Sequence, residues 1–372
     1  MAKRGQNIYR RKDGRWEGRF IASRTPEDKP KYSSVYAKTC AEVKQKLREK
    51  YVQLAQNQEA APQPEPASFA AAAQNWLATA KMNCKESSCN KYAYLLERHI
   101  LPCFEGMAAT DLTRKILEDF VAKKLSSGRL DGCGGLVPKT VADIFSVIKQ
   151  VLKYAGAPIF NIKIRNDAPK MKPFSSSEQK NLAAFLGHNS DFGKLGALLC
   201  LYTGIRVGEL CALRWRNIDL HENILFVRGT MQRLQDRSET AENKTKIVVT
   251  APKSNSSVRA IPLPAWLAAK LRAVRCENLD AYFLTGKVNS FLEPRNMQYK
   301  FQGYLKQSGV EARGFHALRH TFASNWVEKG LEIKCLSQIL GHSSVKITLD
   351  RYVHTSMELK RSQMERMGDF LL

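Results

Sequence analysis

The stretch ILGHSSVKITLDRYVH, residues 339–354, reads as helix, turn and helix, with one aromatic side chain, Tyr352. A tyrosine joins an apolar ring to a polar tip, so half-buried packing is its ordinary use. Taken alone, Tyr352 is a packing residue. Only a set of partners elsewhere in the chain would make its hydroxyl a reagent, and the places where those partners fall decide the fold.

The chain has 372 residues, enough for two or three domains. With 44% hydrophobic and 25% charged residues its composition is globular. Its longest apolar runs, such as LGALLCLY (195–202), are far too short to cross a bilayer. The charged N-terminus is not followed by an apolar run, so no secretory signal is read and the cytoplasm is the expected compartment. Nine scattered cysteines form no CxxC pair and no Cys/His cluster of zinc spacing, which suits reduced structural thiols. Charge is more informative. Lys and Arg number 59 against 35 Asp and Glu, a net +24, and residues 1–50 alone carry 15 basic and 6 acidic side chains. Such a field attracts polyanions, and without a basic amphipathic helix for a membrane surface the favoured partner is nucleic acid.

Three blocks follow along the chain. In residues 1–55, NIYRRKDGRWEGRFIAS alternates apolar and basic residues around a KDGRW turn, a hairpin signal, and KYSSVYA supplies a third strand. A helix follows, with Thr39 and Glu42 spaced as a capping box. Arg10, Arg11, Lys12, Arg15 and Arg19 on this small sheet, interleaved with Tyr9, Trp16 and Phe20, are the expected DNA contacts. Residues 56–66 are a Pro/Gln-rich linker. Residues 67–156 then show apolar spacing of three and four in four segments, near 68–80, 86–101, 111–125 and 138–155, which predicts an all-helical domain. A basic, proline-punctuated connector (157–173) leads to a third block, 174–372, that opens on a second capping box, Ser175 and Glu178. There helices surround strands expected near 223–229, 245–251 and 257–263.

The third block carries the chemistry. LYTGIRVGELCALRW (201–215) puts Arg206 at a Gly-preceded helix start, and VVTAPKSNSSVRAIPL reads as a tight hairpin with Lys253 at or beside its turn. GFHALRHTFASNW (314–326) places His316 and Arg319 on one helical face, and His316 and His320 four apart. That histidine pair is not a zincin site, because position 317 is Ala where the motif needs Glu. Nor does a carboxylate cluster for two metals occur, so no metal or other cofactor is expected. Attack on a phosphodiester without metal needs its non-bridging oxygens held, which arginine does with a permanently charged planar fork. It needs a proton for the leaving alkoxide, which lysine can donate, and a hydroxyl nucleophile, for which tyrosine is eligible. Histidines can donate hydrogen bonds or move protons near neutral pH. Arg206, Lys253, His316, Arg319, His342 and Tyr352 together supply these roles.

With TGIRVGEL, PKSNSSVR, HALRH, LGHSS and RYVH in this order, the third block resembles the catalytic domain of the tyrosine recombinase, or phage integrase, family, most like integrases of conjugative transposons and temperate phages. The resemblance implies a small β-sheet-plus-helix arm-site domain, an all-α core-binding domain and a mainly α catalytic domain with a small antiparallel sheet. It implies that Arg206 and Arg319 clamp the scissile phosphate, that His316 and His342 assist, and that Tyr352 forms a 3′-phosphotyrosyl link. Lys253 would protonate the leaving 5′ oxygen, with Lys244 and Lys246 as competing candidates because the polar segment 231–246 lengthens the approach to the hairpin. Glu209 and His320 fall at supporting positions. The implied partners are double-stranded DNA at core and arm attachment sites, three further copies in a homotetramer, and accessory DNA-bending and excision factors, in the bacterial cytoplasm at the nucleoid. In the tail, Met357, Leu359, Met364, Met367, Phe370 and Leu371 would dock on a neighbouring copy or pack on their own domain. Two other functions share parts of this pattern: a tyrosine-type topoisomerase, and a DNA-binding regulator with an inactive site.

Overall fold

In the computed structural model the chain folds as two units, residues 1–166 and 167–372. The structure describes residues 7–11, 13–24, 30–59, 68–166, 172–188, 191–238, 243–250, 258–352, 361, 364 and 365. Lys12, Lys253 and, apart from the exposed Met364, the apolar tail residues lie outside these.

The first unit begins with an antiparallel sheet, β1 (Ile8–Arg10), β2 (Trp16–Arg24) and β3 (Pro30–Ala37), in the order β1-β2-β3. The β1–β2 turn needs Gly14, whose φ is +86°, and Asp13 accepts the Arg15 main-chain N–H there at 3.2 Å. Helix α1 (Cys40–Glu59) lies on one face of the sheet, where Ile8, Ala37 and Val43 form a small core with Trp16, Val35 and Leu47. The approach is close: a Cβ on Gly18 would stand 2.5 Å from Val43 and 2.7 Å from Leu47. Strand alternation then sends Tyr9, Glu17, Arg19, Tyr32, Ser34 and Tyr36 to the other face.

The helical part comprises α2 (Phe69–Asn83), α3 (Glu86–Leu95), a π turn over Leu96–Ile100 that continues into α4 (Leu101–Phe104), α5 (Arg114–Ser127) and α6 (Pro138–Tyr154). Ser68 caps α2 and Thr113 caps α5 through side-chain oxygens. In α6 the buried residues Val141, Ile144, Phe145, Ile148, Val151 and Leu152 recur at helical spacing, and they meet Phe69, Trp76, Phe104 and Phe120. The four helical segments of the sequence are thus present, one of them interrupted by the π turn.

The second unit starts with α7 (Ser176–Gly187), whose capping box forms as spaced: Ser175 Oγ accepts from Glu178 N and Glu178 Oε2 from Ser175 N. Helix α8 (Phe192–Thr203) is buried almost all round, so its apolar run LGALLCLY is the spine of the unit. After the short α9 (Val207–Cys211) come β4 (Ile218–Asp219), β5 (Ile224–Val227), β6 (Thr230–Gln235), β7 (Thr245–Thr250) and β8 (Arg259–Pro262). Helices α10 (Ala265–Ala273), α11 (Pro294–Gln307), α12 (His316–Glu328), α13 (Ile333–Leu340) and α14 (Val345–Tyr352) complete it.

Strand pairing corrects one expectation. β7 and β8 do not pair with each other as the two arms of a tight hairpin; β8 joins β5 and β4 in one sheet, whereas β7 pairs with β6 from Thr230↔Thr250 to Gln235↔Thr245. The polar stretch after residue 230 is therefore itself a strand. Its alternation of buried Met231 and Leu234 with exposed polar residues is weak, which is why composition hid it. No helix among the described residues is long and apolar enough to cross a membrane.

Candidate active site

The site in the second unit grows from two helix ends. Helix α8 stops at Gly204, left-handed at φ +67°, and α13 stops at Gly341, left-handed at φ +66°. A Cβ on Gly204 would lie 2.7 Å from Phe322 and 2.8 Å from Leu340, so the TGIR turn is wedged between α12 and α13. Each helix end leaves backbone carbonyls without helical partners. Arg319, on the first turn of α12 and only 2% exposed, takes up both ends: Nη1 donates to the Gly204 carbonyl at 2.8 Å and Nη2 to the Leu340 carbonyl at 2.7 Å. Burial, and then the charge of Arg206, pull its pKa down to about 9, which leaves it cationic at neutral pH.

Arg319 Nη2 also stands 3.0 Å from His342 Nε2. A guanidinium can only donate, so Nε2 is the accepting nitrogen and the imidazole proton sits on Nδ1, which faces Thr348 Oγ1 at 2.8 Å. Burial and the charges of Arg319 and Arg206 push His342 down to about 3, consistent with a neutral ring. His316, at the start of α12, is lowered to about 4 by burial, with His320, Arg319 and Arg206 adding to it.

Arg206 precedes α9. Its main-chain N–H donates to Glu209 Oε2 at 2.9 Å and its Nη1 to Oε1 at 2.8 Å, while its side chain remains 38% exposed. Glu209 is buried; burial would raise its carboxyl pKa, but the hydrogen bond and charge of Arg259, with the charge of Arg206, bring it below the ordinary value.

Tyr352 ends α14 and is 7% exposed. Its ring lies parallel to His342 (6.3 Å between centroids, 5° between planes) and 5.3 Å from His320, itself 5.0 Å from His316. Its hydroxyl is buried and has no hydrogen-bond partner among the described residues. The tyrosine therefore stands beside His342, which Arg319 of the same chain hydrogen-bonds. His320, which shares the His316 side of α12 but not the phase of Arg319, lies against the tyrosine ring as well.

Five of the six residues singled out thus occupy one neighbourhood; Lys253 lies outside the described residues. Of the competing lysines, Lys246 pairs with Asp236 at 3.6 Å and Lys244 is exposed. Sequence reasoning missed Thr348, whose Oγ1 faces His342 Nδ1, and Arg259, which grips Glu209. Arg259 had a legible signal, a charge in the inward phase of the strand RAIP, in step with buried Ile261.

In the first unit, Arg11 and Arg15 lie over the Tyr36 ring and Arg19 over Tyr32, on the sheet face opposite α1. Glu17 is buried at the centre of that face and accepts from Arg11 Nη1 at 3.0 Å and Ser34 Oγ at 2.7 Å. Arg10 pairs with Trp16 and alternates to the α1 side, apart from the other arginines.

The chain thus joins an all-helical part to a mainly α unit that gathers Arg206, His316, Arg319, His342 and Tyr352 in one place. Residues 176–358 match the phage integrase family and residues 68–125 match the N-terminal SAM-like domain of phage integrases; the chain belongs to the phage integrase, or tyrosine recombinase, family. It is 30% identical over 219 residues, 55% of each chain, to a XerC-like tyrosine recombinase of Caldanaerobacter subterraneus subsp. tengcongensis. The chain spans about half the length of the XerC-type relatives it matches. It is 22% identical over 356 residues, 90% of each chain, to the ICEBs1 integrase of Bacillus subtilis. Its fold is shared with the Tn1549 transposon integrase, solved in complex with transposon right end DNA, at a TM-score of 0.65 and 19% identity, over 80% of this chain and 99% of that one.

Proposed function

We propose that the protein is a site-specific DNA recombinase that integrates and excises a mobile element through a covalent 3′-phosphotyrosine. The observation that carries this is the Tyr352 hydroxyl, buried without a hydrogen-bond partner among the described residues and flanked by His342, His320 and the Arg319 cation. Arg206 and Arg319 hold the scissile phosphate; Tyr352 Oη bonds to phosphorus and gives its proton to water as the bond to the 5′ oxygen breaks. Lys253 supplies the proton to that leaving oxygen. The phosphotyrosyl bond conserves the energy of the cut backbone, so a 5′ hydroxyl of another strand reverses the step without ATP and without a cofactor.

The names of its relatives, a transposon integrase and the ICEBs1 integrase, support the mobile-element reading. We assign residues 1–55 to arm-type DNA sites through the Arg11, Arg15 and Arg19 face, residues 67–156 to core DNA, and residues 174–372 to catalysis. The working form is a homotetramer on two duplexes, aided by DNA-bending and excision factors, at the nucleoid in the cytoplasm.

The test uses nicked duplexes that tile the DNA flanking the gene, so that a cut strand diffuses away and traps the enzyme. The expected result is a covalent adduct with the wild-type chain and none with Tyr352→Phe. Binding without any adduct would instead mark an inactive, regulatory relative. Relaxation of supercoiled plasmid lacking flanking DNA would point to a topoisomerase. Deleting residues 1–60 should spare cleavage of core duplexes and impair recombination of full sites.

A further inference from the structure

Once Arg206, Arg319, His342 and Tyr352 have roles, one buried cation in the same neighbourhood is left over. Arg259, the first residue of β8, is 9% exposed and its guanidinium is engaged on two sides. Nη1 donates to Glu209 Oε1 at 3.1 Å and Nη2 to Oε2 at 2.8 Å, a bidentate fork, while Nε donates to the carbonyl of Ile339. Glu209 spends its remaining acceptor capacity on the main chain and Nη1 of Arg206. Ile339 lies at the end of α13, three residues before His342. At the turn between them, a Cβ on Gly341 would come within 3.0–3.3 Å of Nη1, Cδ and Cζ of Arg259. One side chain therefore packs against the turn that carries His342 and grips the carboxylate that orients Arg206.

The geometry points to Arg259 as a positioning residue that fixes the separation between the Arg206 arm and the His342 turn, acting through Glu209 and the Ile339 carbonyl. The inference rests on the recombinase reading. Only a guanidinium fits the task. Its fixed fork meets both carboxylate oxygens while Nε reaches a third acceptor, whereas a lysine ammonium is a point charge on a flexible stem and cannot hold the two arms at one spacing. Without the clasp, Arg206 and Glu209 still pair, but their register to His342 is set by backbone packing alone. A phosphate must meet both arms at once, so the loss falls on the rate of attack, which depends on that register, and little on DNA affinity, which comes from many backbone contacts.

The duplex that traps wild-type protein serves as the probe. Single-turnover adduct formation is followed across DNA concentrations for wild type, Arg259→Lys, Glu209→Gln and the double variant. Arg259→Lys is expected to lower the maximal rate about tenfold or more while the half-saturating DNA concentration stays within about twofold. Glu209→Gln should reproduce that split, and the double variant should be no slower than the slower single, because both act through one contact. If Arg259→Lys fails to fold, Glu209→Gln carries the same comparison. An unchanged maximal rate in the folded variants, a loss confined to half-saturation, or multiplicative losses in the double variant would overturn the positioning role. No adduct with the wild-type chain on any duplex would instead overturn the recombinase reading beneath it.

Discussion

Arg319 donates from Nη2 into Nε2 of His342 across 3.0 Å, and this one hydrogen bond decides which nitrogen of the imidazole carries its proton. With Nε2 occupied as an acceptor, the proton sits on Nδ1 against Thr348 Oγ1. Arg319 on α12 thereby sets the protonation of an imidazole that follows α13.

Thr348→Val keeps the shape of that buried side chain and removes the acceptor. The orphaned Nδ1–H should cost about 1–2 kcal/mol of stability, read as a lower urea midpoint. The imidazole is then free to turn, and adduct formation should slow by about tenfold, the kinetic equivalent of ~1.4 kcal/mol. Wild-type rates in a folded Thr348→Val protein would show that the tautomer is set by Arg319 alone.

Tyr352→Phe separates chemistry from packing. The ring is buried among Ala323, Val327, Leu336 and Leu340, and the hydroxyl has no hydrogen-bond partner among the described residues. Removing it leaves the ring contacts and deletes a desolvated polar atom, so stability should be unchanged or raised by up to ~1 kcal/mol. Covalent adduct should vanish. A marked drop in melting temperature would mean that the hydroxyl has a partner in solution.

Much of this was legible in the sequence, for identifiable reasons. That Arg206, His316, Arg319, His342 and Tyr352 gather in one neighbourhood follows residue type and order, and a motif records both. The α6 periodicity and the Ser175–Glu178 capping box are local, so spacing suffices. Contacts across the fold were not legible. Arg259 meets Glu209 fifty residues away, and nothing between them in sequence predicts that approach. The strand β6 was obscured because a two-stranded ribbon with one thinly buried face needs little apolar alternation. His320 shows the limit of helical phase: it separates residues on one helix and says nothing about α14, which brings Tyr352 to it.

Arg206 and Arg319 should differ sharply in what their loss does to the fold. Arg319→Ala strips donors from the Gly204 and Leu340 carbonyls and opens a cavity between three helices. That should cost about 3 kcal/mol or more. Arg206 is partly exposed, and without it Glu209 keeps Arg259 as partner, so Arg206→Ala should cost less than ~1 kcal/mol. Both variants should lose adduct formation. Denaturant midpoints measured beside the adduct assay check the contrast, and equal destabilisation would contradict the burial difference on which it rests.

The histidines predict how stability depends on pH. His316 and His342 are lowered in the fold to about 4 and about 3, by burial first and then by neighbouring cations. In the unfolded chain both titrate near 6.5. Above that value both states hold neutral rings and the pair contributes nothing to the pH dependence. As pH falls below it, the unfolded chain takes up protons that the fold refuses, so the unfolded state binds more protons and stability falls. Each ring subtracts at most about 1.4 kcal/mol per pH unit across this window, less where it is partly exposed to solvent. The lowered carboxyls of Glu178, Asp191 and Glu209 have the same sign, but they act only below the ordinary carboxylate range. Between about pH 6.5 and 5 the slope therefore belongs to histidines. Urea midpoints at pH 7.5, 6.5, 5.5 and 5.0, about the interval that the reference pKa of histidine defines, should fall steadily below the second of these. The double variant His316→Asn, His342→Asn should show a shallower fall, with His320 and His99, both lowered by burial, supplying the remainder. A wild-type midpoint that stays flat down to pH ~5 would mean that the two rings are protonated in the fold, and the hydrogen bond from Arg319 into Nε2 could not then exist.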